Sequence, residues 1–417
     1  MNIPAELAGA DRTAAVGDLR MVAVRGAPAP DVVGGRYRRI KSASVNDAGA
    51  VVFAVDLAGS ASASAIIRIA DGRCTVLARS GEPAPGGGMY ESFGELDLGD
   101  DGCLLYQASL AGCPATEGLF LRTTSGTRAV GRADPGSGIV SFERPTLTSY
   151  LLPSGPYFRL AYLAHRADAR TSLVIWPSYR DPRTVFTTGD TVAGGVLEDF
   201  TISRQAFAVC VIARIRRDTG NRQVALLASD EHIVWGRWLR DGGRLPEVGR
   251  ISRLCGPAGM YVHHGFVAVE LDDGGTALVT RSAGTDPECF VRSGGPVPDL
   301  PDRHITRLEP PVANHGLPDG GPCGVASVAG LDDGRSALWL GVFEGQQPMV
   351  GAAITPLVSG DYTDDNSAVR VDAFAPVKLT NTGTLLLQAS VDTGGRPADG
   401  LLLFENLFGW LVDAGSG

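Results

Sequence analysis

Seven copies of one unit, each about 55 residues long, fill almost the whole chain and constrain its fold more than any other feature. Residues 79–131 show the unit most clearly: a Gly/Pro loop precedes four short apolar segments, "SFGELDL", "CLLYQASL", "GLFLR" and "TRAVG", which turn residues separate. Each segment has the length of a β-strand. Glycines mark the loop that opens each unit, at positions 26, 81, 131, 189, 236, 294 and 351, and another follows at 415.

The first strand of every unit keeps one large apolar position. Its occupants are Ile40, Phe93, Phe142, Phe200, Ile251, Ile305 and Phe374. A four-stranded unit cannot bury both faces of its sheet alone, and radial stacking of neighbours removes this problem. The sequence therefore predicts an all-β, seven-bladed β-propeller of four-stranded antiparallel blades. A solenoid is the alternative, although its repeats typically span ~20–45 residues.

The two ends of the repeated region predict how the ring closes. We expect a polar extension over residues 1–19 and a single propeller domain over residues 20–417. Both "MVAVRG" (21–26) and "WLVDAG" (410–415) resemble fourth strands, which leaves one more candidate than seven blades need. One of them should close the ring by pairing the N- and C-terminal strands. The other is spare, or it is an exposed edge through which a homodimer could form.

Composition and charge exclude several classes of function. The net charge of -9 and the pI near 5.2 argue against nucleic-acid binding, which needs a basic face. No run of apolar residues is long enough to span a membrane, and the start of the chain shows no secretory signal, so we expect a cytoplasmic protein. The seven cysteines form no CxxC pair, which favours reduced thiols. Of 37 basic residues only Lys41 and Lys378 are lysines, a bias typical of genome composition.

Two short patterns resemble a known type of repeat. Residues 81–86 read "GEPAPG", and residues 46–49 read "NDAG" with Phe53 following. Together they resemble the bacterial NxxGxxAF-type tandem repeats, well in units one, two and seven and faintly in the others. The resemblance implies β-propeller-like repeats of unknown activity, most often in exported, surface-anchored proteins. It implies no catalytic residues.

The predicted architecture indicates where a site would lie. The order of strands and loops resembles that of WD-type blades, so the first strand of each unit should line the central channel, and the residues entering it should surround the channel mouth. These residues are Arg39, Glu91, Glu198, Asp199, Arg250, Arg303, His304 and Asp372, and Lys41, Glu95, Glu143, Arg144, Arg253 and Arg307 follow just inside. Trp238, in "EHIVWGRWLRDGG", is a candidate aromatic anchor near the same loops.

This mixed ring of charges supports two hypotheses. In the first, the mouth binds a small polar or anionic molecule, and His304 and Glu198 act as acid and base in a lyase-, cyclase- or hydrolase-type reaction. In the second, the ring is a set of mutually satisfied salt bridges. The protein would then be a non-catalytic interaction scaffold that uses the loop face or a spare edge strand. No named catalytic motif is present, so the sequence leaves open whether the protein is an enzyme.

The remaining polar motifs predict no metal and no cofactor. The side chains of His263 and His264 should point to opposite faces of a strand. The acidic loop "SGDYTDDNS" (359–367) matches the EF-hand spacing only in part, which favours a solvated loop or a lid over the mouth. Residues 46–49 occupy a position that keeps its glycine but not its acid in other units, so Asp47 is interpreted as a turn residue.

Overall fold

The structure, a computed structural model, confirms the predicted seven-bladed β-propeller. It describes residues 19–152, 155–203, 209–228, 233–259, 264–282, 286–298, 300–314, 323–343, 352–361, 369–405 and 407. These residues form seven antiparallel sheets arranged in a ring, one for each repeat. In blades 1 to 3 the innermost strand comes first in the chain and its neighbours follow outward in order, and the other blades vary this order only by short strands and by β1.

The first strand of the chain, β1 (Leu19–Val24), belongs to the last blade, and the first three blades follow it. Blade 1 contains β2 (Arg36–Val45), β3 (Val51–Ala58), β4 (Ser64–Ala70) and β5 (Arg73–Arg79). Blade 2 contains β6 (Met89–Leu98), β7 (Leu104–Ala111), β8 (Glu117–Thr123) and β9 (Gly126–Ala133). Blade 3 contains β10 (Ile139–Leu152), β11 (Gly155–Arg166), β12 (Thr171–Pro177) and β13 (Arg183–Thr187).

Blades 4 to 6 each add a two-residue strand before the innermost one. Blade 4 contains β14 (Thr191–Val192), β15 (Gly195–Ile202), β16 (Val209–Arg217), β17 (Gly220–Ala228) and β18 (Ile233–Arg240). Blade 5 contains β19 (Arg244–Leu245), β20 (Gly249–Gly259), β21 (His264–Leu271), β22 (Thr276–Ser282) and β23 (Glu288–Arg292). Blade 6 contains β24 (Pro296–Val297), β25 (Leu300–Leu308), β26 (Val312–Ala313), β27 (Cys323–Leu331), β28 (Ser336–Phe343) and β29 (Ala352–Val358).

Blade 7 is completed by the N-terminal strand. It contains β30 (Val369–Leu379), β31 (Leu385–Thr393) and β32 (Pro397–Phe404), and β1 is its outermost strand. Strand β1 pairs antiparallel with β32, from Leu19 opposite Phe404 to Val24 opposite Gly400. The predicted ring closure is therefore confirmed, and the segment that closes the ring is β1, which overlaps the first candidate, residues 21–26. The second candidate, residues 410–415, lies outside the described residues.

The hydrophobic core lies between blades. Seven clusters of buried side chains are found among the described residues, and each joins one sheet to the next around the ring. Both faces of a middle strand therefore meet apolar neighbours, which is why "VVFAVDL" in β3 is buried along most of its length. The predicted apolar position of the first strand is buried in all seven blades, at 7% exposure or less.

The opening glycines confirm the repeat register in part. Gly26, Gly81, Gly189 and Gly294 adopt positive φ, and the backbone N–H of each donates to a residue of the following inner strand. In blades 5 and 7, however, Gly242 and Gly360 make this bond. The predicted position 236 was wrong, since it lies inside β18, and position 351 lies outside the described residues. Gly131, the prediction for blade 3, lies inside β9.

Two further features bear on the sequence-based expectations. Within the described ranges, no helix has the length and apolar character that a membrane span requires. The six cysteines whose side chains are described are free thiols. The predicted extension over residues 1–19 lies, except for Leu19, outside the described residues.

Candidate functional site

A cavity of about 420 Å³ occupies the central channel. Its wall consists mainly of residues from the middle and the second half of the inner strands, on the far side of the repeated apolar position from the predicted mouth. Gln388 of β31 and residues 310–313, which follow β25, complete it. The lining residues are Lys41, Ser42, Ala43, Arg144, Leu147, Thr148, Thr201, Ile202, Ser203, Cys255, Gly256, Pro257, Pro310, Pro311, Val312, Ala313, Ala375, Pro376, Val377, Lys378, Leu379 and Gln388. The volume is within the usual range for a small-molecule site.

Lys41 supplies the first cation of the cavity wall, from β2 in blade 1. Its Nζ lies 2.7 Å from Asp56 Oδ1 and donates to the backbone oxygen of Phe93 at 3.1 Å. An ammonium group has three donors, so one remains for a ligand. The side chain is 22% exposed, which keeps it partly shielded from solvent.

Arg144 supplies the second cation from an irregular point in β10. The register of β10 shifts between Glu143 and Thr146, and Arg144 has a φ of 51°, in the left-handed region that side chains rarely adopt. Its backbone N–H donates to Glu95 Oε2 at 2.6 Å, its Nη1 donates to the backbone oxygen of Ile202 at 3.2 Å, and its Nε lies 3.5 Å from Glu143 Oε1. The bulge thus places the guanidinium in the cavity wall between blades 2 and 4.

Lys378 is the third cation, and its ammonium group is fully occupied. Its Nζ donates to Asp97 Oδ1 at 2.7 Å, to the backbone oxygen of Leu98 at 2.6 Å and to Ser44 Oγ at 3.3 Å. These bonds use all three donors. Lys378 therefore contributes positive charge and connects blades 7, 1 and 2, while Lys41 and Arg144 keep donors for a ligand.

The two sides of the cavity differ in chemistry. The lining contains three cationic side chains and no carboxylate, although the chain as a whole is acidic. The cations come from blades 1, 3 and 7, and blades 3 and 4 add the hydroxyl groups of Thr148, Thr201 and Ser203, whereas the prolines of the lining come from blades 5 to 7. The cavity therefore suits an anion with one polar and one apolar face.

Cys255 in the same wall is poorly suited to nucleophilic chemistry. Burial raises the pKa of its thiol, and the Glu270 carboxylate raises it further, against the opposing effect of Arg253. The thiolate is the reactive form of cysteine, so this side chain stays protonated near neutral pH.

The predicted mouth residues do not converge on the cavity, and most pair within their own blade. Glu198 lies 3.1 Å from Arg216 and 3.5 Å from Arg214, and Asp199 lies 3.8 Å from Arg214. Arg303 and His304 both face Asp332, and Asp372 faces Arg370. These pairs join neighbouring strands or nearby residues, as the salt-bridge hypothesis expects, because opposite charges on adjacent strands lie within reach.

The other predicted residues have different surroundings. Arg39 lines a separate pocket with Arg25, Arg38, Asp56 and Asp399. The side chains of Glu91 and Arg250 make no ion pair within the described part of the chain. The side chain of Trp238 lies outside the described residues, although its backbone belongs to β18.

The described residues contain no group of three or more His, Cys, Asp or Glu side chains placed to bind a metal ion. His263, the side chain of His264, and residues 362–367 of the acidic loop lie outside the described residues.

The sequence indicated two of the three cavity cations, since Lys41 and Arg144 belong to the second row of predicted channel residues. Lys378 was missed as a site residue because the scarcity of lysine suggested only a compositional bias. Its signal was present in the sequence: both lysines of the chain lie in inner strands.

The fold and cavity together define the class of protein, a β-propeller with a cationic channel cavity. Residues 10–130, which include blade 1 and nearly all of blade 2, match the family of unknown function DUF7453. The resemblance to NxxGxxAF-type repeats stays a prediction. Comparison with curated proteins gives no match.

Several solved structures share the architecture at low identity. The polysaccharide lyase Uly1 is 10% identical, with 91% of each chain covered and a TM-score of 0.45. The WD40 domain of SCAP from fission yeast is 7% identical, covering 93% of this chain and 90% of that chain, with a TM-score of 0.40. The fucose-specific lectin from Aleuria aurantia is 12% identical, covering 75% and 97%, with a TM-score of 0.32. At these scores the likenesses add nothing about what this chain binds.

Proposed function

We propose that the protein binds a small organic anion in the channel cavity, with Lys41 and Arg144 holding its negative charge. The observation that carries the proposal is the lining itself, three cations and no carboxylate in a chain of net charge -9. A partly enclosed site strengthens charge-assisted hydrogen bonds because water screens them less.

The apolar part of the lining restricts the class of ligand further. Pro257, Pro310 and Pro376 add apolar surface to the same lining. A ligand with a carboxylate at one end and an apolar ring or chain at the other would contact both sides. Binding is the role that these residues support, and an acid–base role for His304 and Glu198 remains a separate prediction.

Calorimetric titration of small carboxylates tests the proposal. Benzoate and glucuronate should bind, while their neutral matches, benzyl alcohol and glucose, should bind at least about tenfold more weakly, because they lack the charge-assisted hydrogen bonds. Lys41→Met and Arg144→Gly should each reduce carboxylate affinity about tenfold or more. Glycine suits the left-handed backbone at position 144, so this variant should fold.

The Arg73→Ala variant serves as a matched control. Arg73→Ala removes an exposed arginine from the outer strand of blade 1 and should leave binding unchanged. Equal affinity for the charged and the neutral compounds would contradict the proposal. Loss of binding in His304→Asn and Glu198→Gln, with binding retained in Lys41→Met, would instead locate the ligand at the predicted mouth.

A further inference from the structure

A second pocket lies where the ring closes, between blade 7 and blade 1. It has a volume of about 380 Å³ and is lined by Arg25, Arg38, Arg39, Asp56 and Asp399. We call it the seam pocket. Arg25 directly follows β1, the outermost strand of blade 7, while Arg38 and Arg39 lie on β2, the innermost strand of blade 1. The pocket therefore joins the two ends of the ring.

The charges of the seam pocket are not balanced. Asp56 is already engaged, since its Oδ1 lies 2.7 Å from Lys41 Nζ and its Oδ2 lies 3.4 Å from Arg38 Nη2. Arg25 and Arg39 have exposed guanidinium groups that bond to no other described side chain or backbone oxygen. Asp399 is the one remaining carboxylate of the lining. Among the described residues, the guanidinium groups of Arg25 and Arg39 are therefore unpaired, whereas that of Arg38 is paired with Asp56.

We infer that the seam pocket binds a tetrahedral oxyanion, a phosphate or sulfate group. Guanidinium groups donate paired hydrogen bonds to such oxygens, and three arginines can address a tetrahedral group from several sides. The anion would also relieve the repulsion between neighbouring positive charges. Because Arg25 and Arg39 come from opposite sides of the seam, the bound group would link blade 7 to blade 1. This site is separate from the carboxylate site of the channel cavity.

Substitution of Asp399 should change anion affinity in the opposite direction from substitution of the arginines. Titration with inorganic phosphate and inorganic sulfate at constant ionic strength should show binding, and Arg25→Ala and Arg39→Ala should each weaken it about tenfold or more. Asp399→Asn removes a repulsive carboxylate and should tighten binding severalfold, on the order of the charge effect expected near a protein surface. Titration with phenyl phosphate shows whether the pocket binds a free anion or a phosphate group that belongs to a larger ligand. If phenyl phosphate binds more tightly than inorganic phosphate, the natural ligand is the larger one.

Controls separate this inference from the carboxylate site. Arg73→Ala should leave phosphate binding unchanged, and Arg144→Gly should lose benzoate binding but keep phosphate binding. Arg39→Ala should show the reverse. Phosphate affinity that is the same in the wild type, Arg39→Ala and Asp399→Asn would overturn the inference, whatever the result with carboxylates.

Discussion

Asp47 shows how a turn residue acquires a role that its local sequence does not reveal. It lies in the hairpin between β2 and β3, as predicted from the glycine that follows it at position 49. Its carboxylate also accepts hydrogen bonds from the backbone N–H of Asn381 at 2.7 Å and from Asn381 Nδ2 at 3.1 Å. Asn381 belongs to the corresponding hairpin of blade 7. The acid is therefore a connection between blades, which only the closed ring brings together.

Glu117 makes stability depend on pH. It accepts a hydrogen bond from the backbone N–H of Phe142 at 2.6 Å, but burial has the larger effect and raises the pKa of its carboxyl above the ordinary 4.5. The folded state therefore holds this proton more tightly than the unfolded state. The free energy of unfolding should fall as pH rises from about 4.5 through the raised pKa.

The Glu117→Gln variant tests this pH dependence. An amide oxygen can still accept the bond from Phe142 but does not titrate, so the variant should lose less stability than the wild type between pH 4 and pH 7. Urea denaturation at both pH values measures the difference. Glu288→Gln, an exposed site on β23, serves as the control. An unchanged pH dependence in Glu117→Gln would exclude this carboxyl as the cause.

At the scale of elements, the sequence left open which segment closes the ring. The structure assigns this role to β1. Its residues alternate between two cores: Leu19 packs in the cluster between blades 6 and 7, and Ala23 packs in the cluster between blades 7 and 1. The strand thus stabilises both interfaces of the last blade and covers the edge of β32.

Shortening one side chain of β1 should measurably weaken the protein. Leu19 is 2% exposed, so Leu19→Ala should cost about 2–4 kcal/mol through lost burial and the cavity it leaves. Val33→Ala, at 96% exposure, should change stability by less than about 0.5 kcal/mol. Denaturant midpoints compare the two. Equal effects would mean that β1 does not hold the ring closed.

Much of the element pattern could be predicted, and its failures have local causes. The inner apolar position was identified in every blade because burial between two sheets tolerates only apolar side chains there. Two of the opening glycines, at 131 and 236, were misplaced and lie inside outer strands, because the loops between blades vary in length. The site was expected at the channel mouth, where the inner strands begin, while the cavity lies farther along these strands, past bulges that the sequence does not mark.

At the scale of the whole molecule, Asp97 connects four blades. It lies in blade 2 at 6% exposure and accepts bonds from Ser44 Oγ of blade 1 at 2.8 Å and from Lys378 Nζ of blade 7 at 2.7 Å. Its other oxygen accepts the backbone N–H of Leu147 in blade 3 at 2.8 Å. A single carboxylate thus helps to set the spacing of adjacent inner strands around the cavity.

Disrupting this connection should be costly and non-additive. Asp97→Asn leaves the shielded Lys378 ammonium without its counter-ion and should lower the free energy of unfolding by about 3–5 kcal/mol. Lys378→Met leaves the buried carboxylate of Asp97 without its counter-ion and should be destabilising for the same reason. The double variant should be less destabilised than the sum of the two, which a double-mutant cycle in urea measures. Strict additivity would show that the two groups do not interact.

The sequence by itself determined the sevenfold repeat, the strand order within a blade and the apolar side of each inner strand. These properties follow from local periodicity and turn chemistry, which act over a few residues. Only the tertiary structure decided which charges meet, since Lys378 and Asp97 are 281 positions apart in the chain. Charge pairing depends on register, bulges and ring closure, so the cationic cavity and the seam pocket emerge only once the ring is closed.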